Sequence, residues 1–257
     1  MTENSKKLLG VIPARYASTR FDGKPLVMIS GIPMIKRTYM QASSSRLLDK
    51  VIVATDDMRI ANFCESEGMN WEMTSSSCLT GTDRVAEVAG RHNFDFYINI
   101  QGDEPVIDPA SIDQLLALFL EFGTHYAAYN LYKFIDAPDM IASKTIIKVI
   151  TNAFDEMMYM SRLPIPHCQG TDGCRFKQQV PVYGFTREAL EMFTANDKTL
   201  NERFEDIELL RFIDLGHKVK MQATKVSSIA VDVPEDVRRV EAFLKAQEDA
   251  ALILKEQ

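Results

Sequence analysis

The sequence predicts an α/β fold built on a mostly parallel central sheet. Two observations carry that prediction. Short apolar runs rich in β-branched residues alternate with helical patterns through the first half of the chain, which implies parallel strands joined by right-handed crossovers. The polar stretches Arg15–Lys24, Thr55–Asp57 and Gln101–Glu104 each stand directly behind a strand, where such sheets gather their ligands.

Taken in order, Leu8–Ile12 reads as a buried strand that runs into a turn. Pro33–Ser43 reads as a helix with proline at its first turn. Lys50–Ala54 is a second strand and Met58–Glu67 a helix, with Gly68 at the C-terminal cap. Trp71–Met73 is a short strand, Asp83–His92 a helix and Phe94–Ile100 the central strand. Asp108-Pro109 opens a helix running to Phe122, with Ile112, Leu115, Leu116, Phe119 and Leu120 at helical spacing. Further on, Thr145–Thr151, Glu156–Ser161 and Gln179–Phe185 read as strands. Arg162–Lys177 is an excursion rich in Pro, Gly and polar residues, a lid or an interface loop. Arg187–Thr194 and Glu205–Leu215 read as helices, and Lys218–Thr224 and Ser228–Val231 as strands. Pro234–Glu256 is a closing amphipathic helix with Val237, Val240, Phe243, Leu244, Leu252 and Leu254 on its apolar face.

The chain has 257 residues, 46% hydrophobic and 25% charged, ordinary for a soluble globular protein. We read it as one domain. The net charge of -7 disfavours indiscriminate binding to nucleic acid or to an anionic membrane, but a local cluster of cations still suits a small anionic ligand. No secretory pattern or long apolar span is visible, which predicts a cytoplasmic protein. Cys64, Cys78, Cys168 and Cys174 match neither a zinc ribbon nor a redox pair and are read as free thiols in a reducing compartment. His167 with Cys168 and Cys174 is the alternative, as part of a metal site.

The loop behind the first strand holds Arg15, Arg20 and Lys24. It is a clamp for a polyphosphate or a solvated basic loop. No G-x-G-x-x-G follows a strand and no P-loop motif occurs, which disfavours a dinucleotide-binding or P-loop enzyme. Asp103 and Asp232 each follow an apolar strand. Carboxylates there suit Mg²⁺, which takes few protein carboxylates alongside water and phosphate oxygens; Asp232 is otherwise a helix N-cap. Gly81-Thr82-Asp83-Arg84 could meet a base or ribose, or Thr82 could cap the next helix. Arg162 could hold a carboxylate bidentately. Glu205 and Glu208, one helical turn apart, could accept sugar hydroxyls or form a solvated face. The four histidines fall outside every motif and no Ser/His/Asp set is visible.

Together these motifs form a series. It runs from Val11-Ile12-Pro13-Ala14-Arg15-Tyr16-Ala17-Ser18-Thr19-Arg20 and Gly23-Lys24-Pro25-Leu26 to Ala54-Thr55-Asp56 and Gly81-Thr82-Asp83-Arg84. It continues with Asn99-Ile100-Gln101-Gly102-Asp103-Glu104-Pro105, Ser161-Arg162-Leu163-Pro164-Ile165-Pro166, Tyr183-Gly184-Phe185 and Val231-Asp232-Val233-Pro234-Glu235-Asp236. In this order it closely resembles the 3-deoxy-manno-octulosonate (Kdo) cytidylyltransferase family. The resemblance implies a Rossmann-like nucleotidyltransferase fold. A nucleotide-binding half would cover residues 8–125, a sugar-binding and dimerisation half 126–233, and a closing helix 234–257. It implies transfer of CMP from CTP to the anomeric hydroxyl of the sugar, with pyrophosphate released, for lipopolysaccharide assembly, by a homodimer.

By that analogy Arg15, Arg20 and Lys24 would hold the triphosphate. Pro13, Ala14, Thr55, Asp56, Thr82, Arg84 and Gln101 would complete the nucleotide site. Asp103 and Asp232 would bind Mg²⁺ and, with Arg15 and Lys24, carry catalysis. Gln101, Arg162, Gln179, Tyr183, Glu205 and Glu208 would meet the sugar. Three departures stand out, one of them the segment Glu208-Leu209-Leu210-Arg211 in place of a longer family stretch. Asp22 replaces the usual proline in the phosphate loop, and Gln179 replaces a histidine on the sugar side. A neutral amide there points to a modified sugar such as 8-amino-3,8-dideoxy-manno-octulosonate. The rival readings are a cytidylyltransferase for a sialic-acid-like sugar and a non-catalytic CTP-binding regulator.

Overall fold

A computed structural model describes residues 6–17, 21–170, 173–226 and 228–255. The chain opens with β1 (Leu8–Ala14), a small hairpin of β2 (Met28–Ile29) and β3 (Ile32–Pro33), and α1 (Met34–Ser43). It continues through β4 (Lys50–Thr55), α2 (Met58–Ser66), β5 (Trp71–Met73), α3 (Gly81–Arg91), β6 (Phe96–Ile100) and α4 (Pro109–Phe122). The second half holds β7 (Ala128–Ile135), α5 (Pro138–Ala142), β8 (Lys148–Thr151), β9 (Met157–Ser161) and β10 (Phe176–Phe185). It ends with α6 (Arg187–Ala195), α7 (Leu200–Glu205), α8 (Leu210–Asp214), β11 (Val219–Ala223) and α9 (Pro234–Lys255).

The main sheet has the order β11-β7-β10-β6-β1-β4-β5. Four of its six neighbouring pairs are parallel, and β10 runs antiparallel between β6 and β7. The chain winds outward from β1 through β4 and β5, then crosses back to place β6 on the other side of β1. That reversal opens a crevice at the carboxyl ends of β1 and β6.

Both faces of the sheet are covered, which is why its central strands read as continuous apolar runs. On one face Ile12, Ile98 and Ile100 pack with Ile35, Cys64, Leu115 and Phe119 of α1, α2 and α4. On the other, Val11 and Tyr97 pack with Val85, Leu190 and Phe212 of α3, α6 and α8. Each such fully buried side chain contributes about 1.5–3 kcal/mol. Local signals set the helix starts. Asp108 caps α4 by accepting from the N–H of Ala110 at 2.8 Å. A capping box of Thr80 and Asp83 starts α3, so Thr80, not Thr82, is the cap.

Four expectations are corrected. The chain has a strand, β7, where the sequence reading had none. Asn130 and Lys133 break its apolar run. Asn130 is nonetheless buried, because Nδ2 donates to the carbonyls of Val180 at 2.8 Å and Val182 at 2.5 Å. Those carbonyls flank Pro181, which has no N–H, and β10 bulges there between Val180 and Tyr183. Of the expected helix Glu205–Leu215 only α8 forms: Glu205 is the last residue of α7 and the chain turns at Asp206, whose φ is +53°, so Glu205 and Glu208 do not share a helical face. Ser228–Val231 forms no strand; one main-chain bond, from Val231 N–H to the Asp103 carbonyl at 2.9 Å, ties it down. Finally, Cys168 and Cys174 form a disulfide with their Cα atoms 6.0 Å apart. Gly170 and Gly173, both at positive φ, let the short loop fold back to that distance. The pairing removes both sulfurs from the metal site considered with His167; Cys64 and Cys78 are free.

The closing helix is present. Val237, Val240, Phe243 and Leu244 pack with Ile29, Met34 and Val106. The side chains of Leu252 and Leu254 lie outside the described residues.

Candidate active site

The site begins where β1 and β6 end. A Cβ on Gly102 would stand 2.6 Å from the Pro13 carbonyl oxygen, so only glycine lets the loop after β6 lie against the end of β1. In the basic loop, Gly23 turns the chain at φ +68° and Pro25 fixes the turn that follows. Lys24, held between them, extends its ammonium to 2.7 Å from Asp103 Oδ2 and 3.8 Å from Asp232 Oδ1. The carboxylates singled out in the sequence therefore converge, from opposite halves of the chain, on one cation. Asp232 stands two residues before Pro234, the first residue of α9, and Asp236 of that helix's first turn reaches back to accept from the N–H groups of Asp232 and Val233.

Two clefts meet at this point. One, of about 310 Å³, is lined by Pro13, Ala14, Arg15, Lys24, Gly81, Arg84, Gln101 and Asp103, with Lys198 and Glu202 on the far wall. Arg84 is buried and held in place, donating to Asp56 Oδ2 at 3.0 Å and to Thr74 Oγ1. Thr55 and Asp56 stand behind this wall and do not line the cleft; Asp56 acts by holding Arg84. Thr82 is buried behind it too, its backbone N–H donating to Glu208 Oε2 at 3.0 Å. Arg20 lies outside the described residues. The negative charge of Asp22 acts on Arg59, whose guanidinium stacks 3.2 Å over the ring of Tyr16.

The second cleft, of about 610 Å³, shares Gln101, Asp103, Asp206, Ile207 and Glu208 with the first. Glu104, Lys133, Arg162, Gln179, Tyr183, Asp232 and Arg239 line the rest. Tyr183 follows the bulge at Pro181 in β10. Burial and the nearby Glu208 carboxylate push the Tyr183 hydroxyl to a higher pKa. Glu208 is itself shifted up by burial, against the opposing bond from Thr82. Gln179 donates from Nε2 to the Val180 carbonyl at 2.6 Å.

Arg162 and Glu205 differ from expectation. The Arg162 guanidinium donates to the carbonyls of Glu205 at 2.7 Å and Asp206 at 3.0 Å, capping the end of α7. The Glu205 carboxylate accepts from Ser161 Oγ at 2.7 Å and from the Arg162 N–H at 2.8 Å. It does not line either cleft and serves to fasten α7 to β9. Lys148 fixes the same wall, donating to the carbonyls of Ser143, Ile146 and Arg162, each at 2.6 Å.

Several lining residues escaped the sequence reading, among them Glu104, Lys133, Lys198 and Arg239. Glu104 stood inside the motif Gln101–Pro105, but its burial gave no signal in the sequence. Here it accepts from Ser228 Oγ, and burial, with Asp103 next to it, raises its pKa to about 8. Lys133 belongs to the unpredicted β7, and Lys198 and Arg239 carry no motif.

The chain matches the family model described as Cytidylyltransferase over residues 9–222. It is 39% identical over 246 residues to a 3-deoxy-manno-octulosonate cytidylyltransferase of Desulfosudis oleivorans, covering 93% of this chain and 97% of that one. It is 40% identical to the enzyme of the same name from Myxococcus xanthus, covering 95% and 98%. Among solved structures, CMP:2-keto-3-deoxy-manno-octonic acid synthetase complexed with CTP superposes with a TM-score of 0.88 at 34% identity, covering 94% of this chain and 99% of that one. A 4-diphosphocytidyl-2C-methyl-D-erythritol synthase from Anaerococcus prevotii, at 17% identity and a TM-score of 0.61, shares the fold. The strand-end loops that meet around Lys24 are thus carried on a nucleotidyltransferase fold, and the chain belongs to the cytidylyltransferase family.

Proposed function

We propose that this enzyme transfers CMP from CTP to the anomeric hydroxyl of a 3-deoxy-octulosonate, releasing pyrophosphate and supplying an activated sugar for lipopolysaccharide. One observation carries the reading: the first cleft, with its cations, meets the second at Asp103, which faces Lys24 together with Asp232 of the second cleft. The nucleotide lies in the first cleft, its phosphates toward Arg15 and Lys24, and the sugar in the second. The sugar hydroxyl gives up its proton to solvent as its oxygen bonds to the α-phosphorus and the bond to the bridging oxygen breaks. Pyrophosphate leaves along the line of attack, toward the basic loop. Such chemistry needs placement and charge neutralisation more than covalent help. Arg84, buried and already oriented by Asp56, holds the nucleotide at little entropic cost. Gln101 and Glu208, common to both clefts, keep the two substrates in register.

The donor set suits Mg²⁺. Two carboxylates already reach a shared cation. That leaves coordination positions for phosphate oxygens and water. Bound by Asp103 and Asp232, Mg²⁺ would offset charge at the phosphorus and make the sugar hydroxyl more acidic.

On the sugar side the neutral Gln179 favours 8-amino-3,8-dideoxy-manno-octulosonate over Kdo. The test is pyrophosphate release across a panel of nucleoside triphosphates and ulosonic acids. CTP with the amino sugar should give the highest kcat/KM. A clear preference for Kdo rejects the amino-sugar reading, and release with a sialic-acid-like sugar alone rejects the octulosonate reading.

We further infer a cytoplasmic homodimer. Among the described residues no helix is long and apolar enough to cross a membrane. Met158 on β9 and Leu200 and Phe204 on α7 leave apolar side chains exposed, and Tyr159 and Asn201 link these two elements. Light scattering at micromolar concentration tests the assembly: a monomer mass contradicts it.

A further inference from the structure

We infer that Lys24 is an internal counter-ion, holding the cation position between Asp103 and Asp232 until nucleotide arrives, so that the divalent cation enters with CTP and not ahead of it. The inference rests on the metal role proposed above for the two carboxylates.

Two carboxylates directed at one point repel each other unless positive charge stands between them. Here that charge is the Lys24 ammonium, 2.7 Å from one carboxylate and 3.8 Å from the other. The lysine is built to stay there. Its backbone is fixed between Gly23 and Pro25, and its side chain is only 14% exposed. A divalent cation arriving alone has to displace this ammonium. It then shares the cleft with an unneutralised lysine and with Arg15, which lines the same wall. The added repulsion at close range weakens binding of the metal on its own.

A triphosphate removes the conflict. Its oxygens accept the displaced ammonium, and the two carboxylates become available to the metal. Lys24 therefore exchanges partners, from carboxylate to phosphate, as the substrate loads. Metal and nucleotide bind with positive coupling, and that coupling is the same whichever is added first. A resting enzyme of this kind holds no tightly bound metal, and its phosphate-binding lysine waits in place, already oriented toward the site of transfer.

The experiment uses the full chain without sugar, so that no turnover occurs, and Mn²⁺ as the probe. Electron paramagnetic resonance gives the Mn²⁺ dissociation constant without nucleotide. Calorimetry gives the CTP dissociation constant with and without Mn²⁺. Lys24→Met should bind Mn²⁺ alone about tenfold more tightly than the native enzyme, a change within the usual range of site–site coupling. Its CTP affinity should respond less to Mn²⁺. Lys24→Arg should keep the native pattern, and Lys24→Gln serves as a second neutral variant if Lys24→Met does not fold. Asp103→Asn separates the two levels of the argument. If that variant loses the Mn²⁺ site while Lys24→Met or Lys24→Gln binds Mn²⁺ no more tightly than native, the counter-ion role is wrong and the metal assignment stands. If Asp103→Asn binds Mn²⁺ as the native enzyme does with CTP, both fall together.

Discussion

Val231 donates its backbone N–H to the carbonyl oxygen of Asp103 at 2.9 Å, outside any strand ladder. This single bond joins the loop after β6 to the segment leading into α9. It sets the separation of Asp103 and Asp232, the neighbour of Val231. A second tie runs beside it, from Ser228 Oγ to the buried Glu104 carboxyl. The acid pair is thus spaced by the segment 228–231 and not by the sheet alone.

The burial of Glu104 predicts a pH dependence of stability. Burial raises the Glu104 pKa from 4.5 to about 8 in the folded chain. Between those values the native state holds a proton that the unfolded chain has released. The stabilisation is therefore complete below the unfolded pKa and is lost as pH rises through the folded one, at about 1.4 kcal/mol per pH unit. Urea unfolding between pH 5 and 8, with chelator present, should show this fall. Glu104→Gln should flatten it, and an unchanged slope in that variant would falsify the assignment.

Much of this arrangement is legible in the sequence, because it depends on local signals. Their positions behind apolar strands singled out the basic loop with Lys24 and the carboxylate Asp103. What escaped depends on partners far away in sequence. β7 is invisible because Asn130 is buried only by virtue of the carbonyls exposed at the Pro181 bulge. The break at Asp206 is invisible because Arg162, on β9's trailing loop, takes the carbonyls at the end of α7. Glu205 looked like a sugar ligand for the same reason: helical spacing says nothing about Ser161.

Asp103→Asn should keep the fold and lose the reaction. The Val231 bond is to the backbone carbonyl and survives the change, and Asn is close in shape to Asp. The loss is of charge at the point where Lys24 and Asp232 converge. Turnover with Mg²⁺ should fall at least about a hundredfold, the scale expected when a preorganised electrostatic group is removed. The melting temperature should stay close to native. Near-native turnover would sink the metal assignment.

Asp56 should act on the nucleotide without touching it. Its carboxylate fixes one arm of the Arg84 guanidinium at 3.0 Å. Asp56→Ala leaves a buried arginine with one fewer partner, which costs stability as well as aim. The KM for CTP should rise about tenfold, since an unheld guanidinium must be ordered on binding, while the KM for sugar changes little. Equal rises in both would mean that the substitution disturbs the whole site.

Gln179 decides the sugar in this scheme, and its place explains how. It lies on β10 just before the Pro181 bulge, nearly buried, with its Nε2 on the Val180 carbonyl at 2.6 Å. Its amide is therefore held at the wall of the second cleft, which Tyr183 also lines. A histidine at this position carries a proton at low pH and would repel an ammonium substituent on the sugar, while still serving a hydroxyl. Gln179→His should therefore shift the ratio of kcat/KM from the amino sugar toward Kdo, by about tenfold, the discrimination a single pocket contact can supply. The shift should be larger at pH 6 than at pH 8, because the imidazole is charged only at the lower pH. A ratio that does not move at either pH would place the recognition of the sugar substituent elsewhere in the cleft.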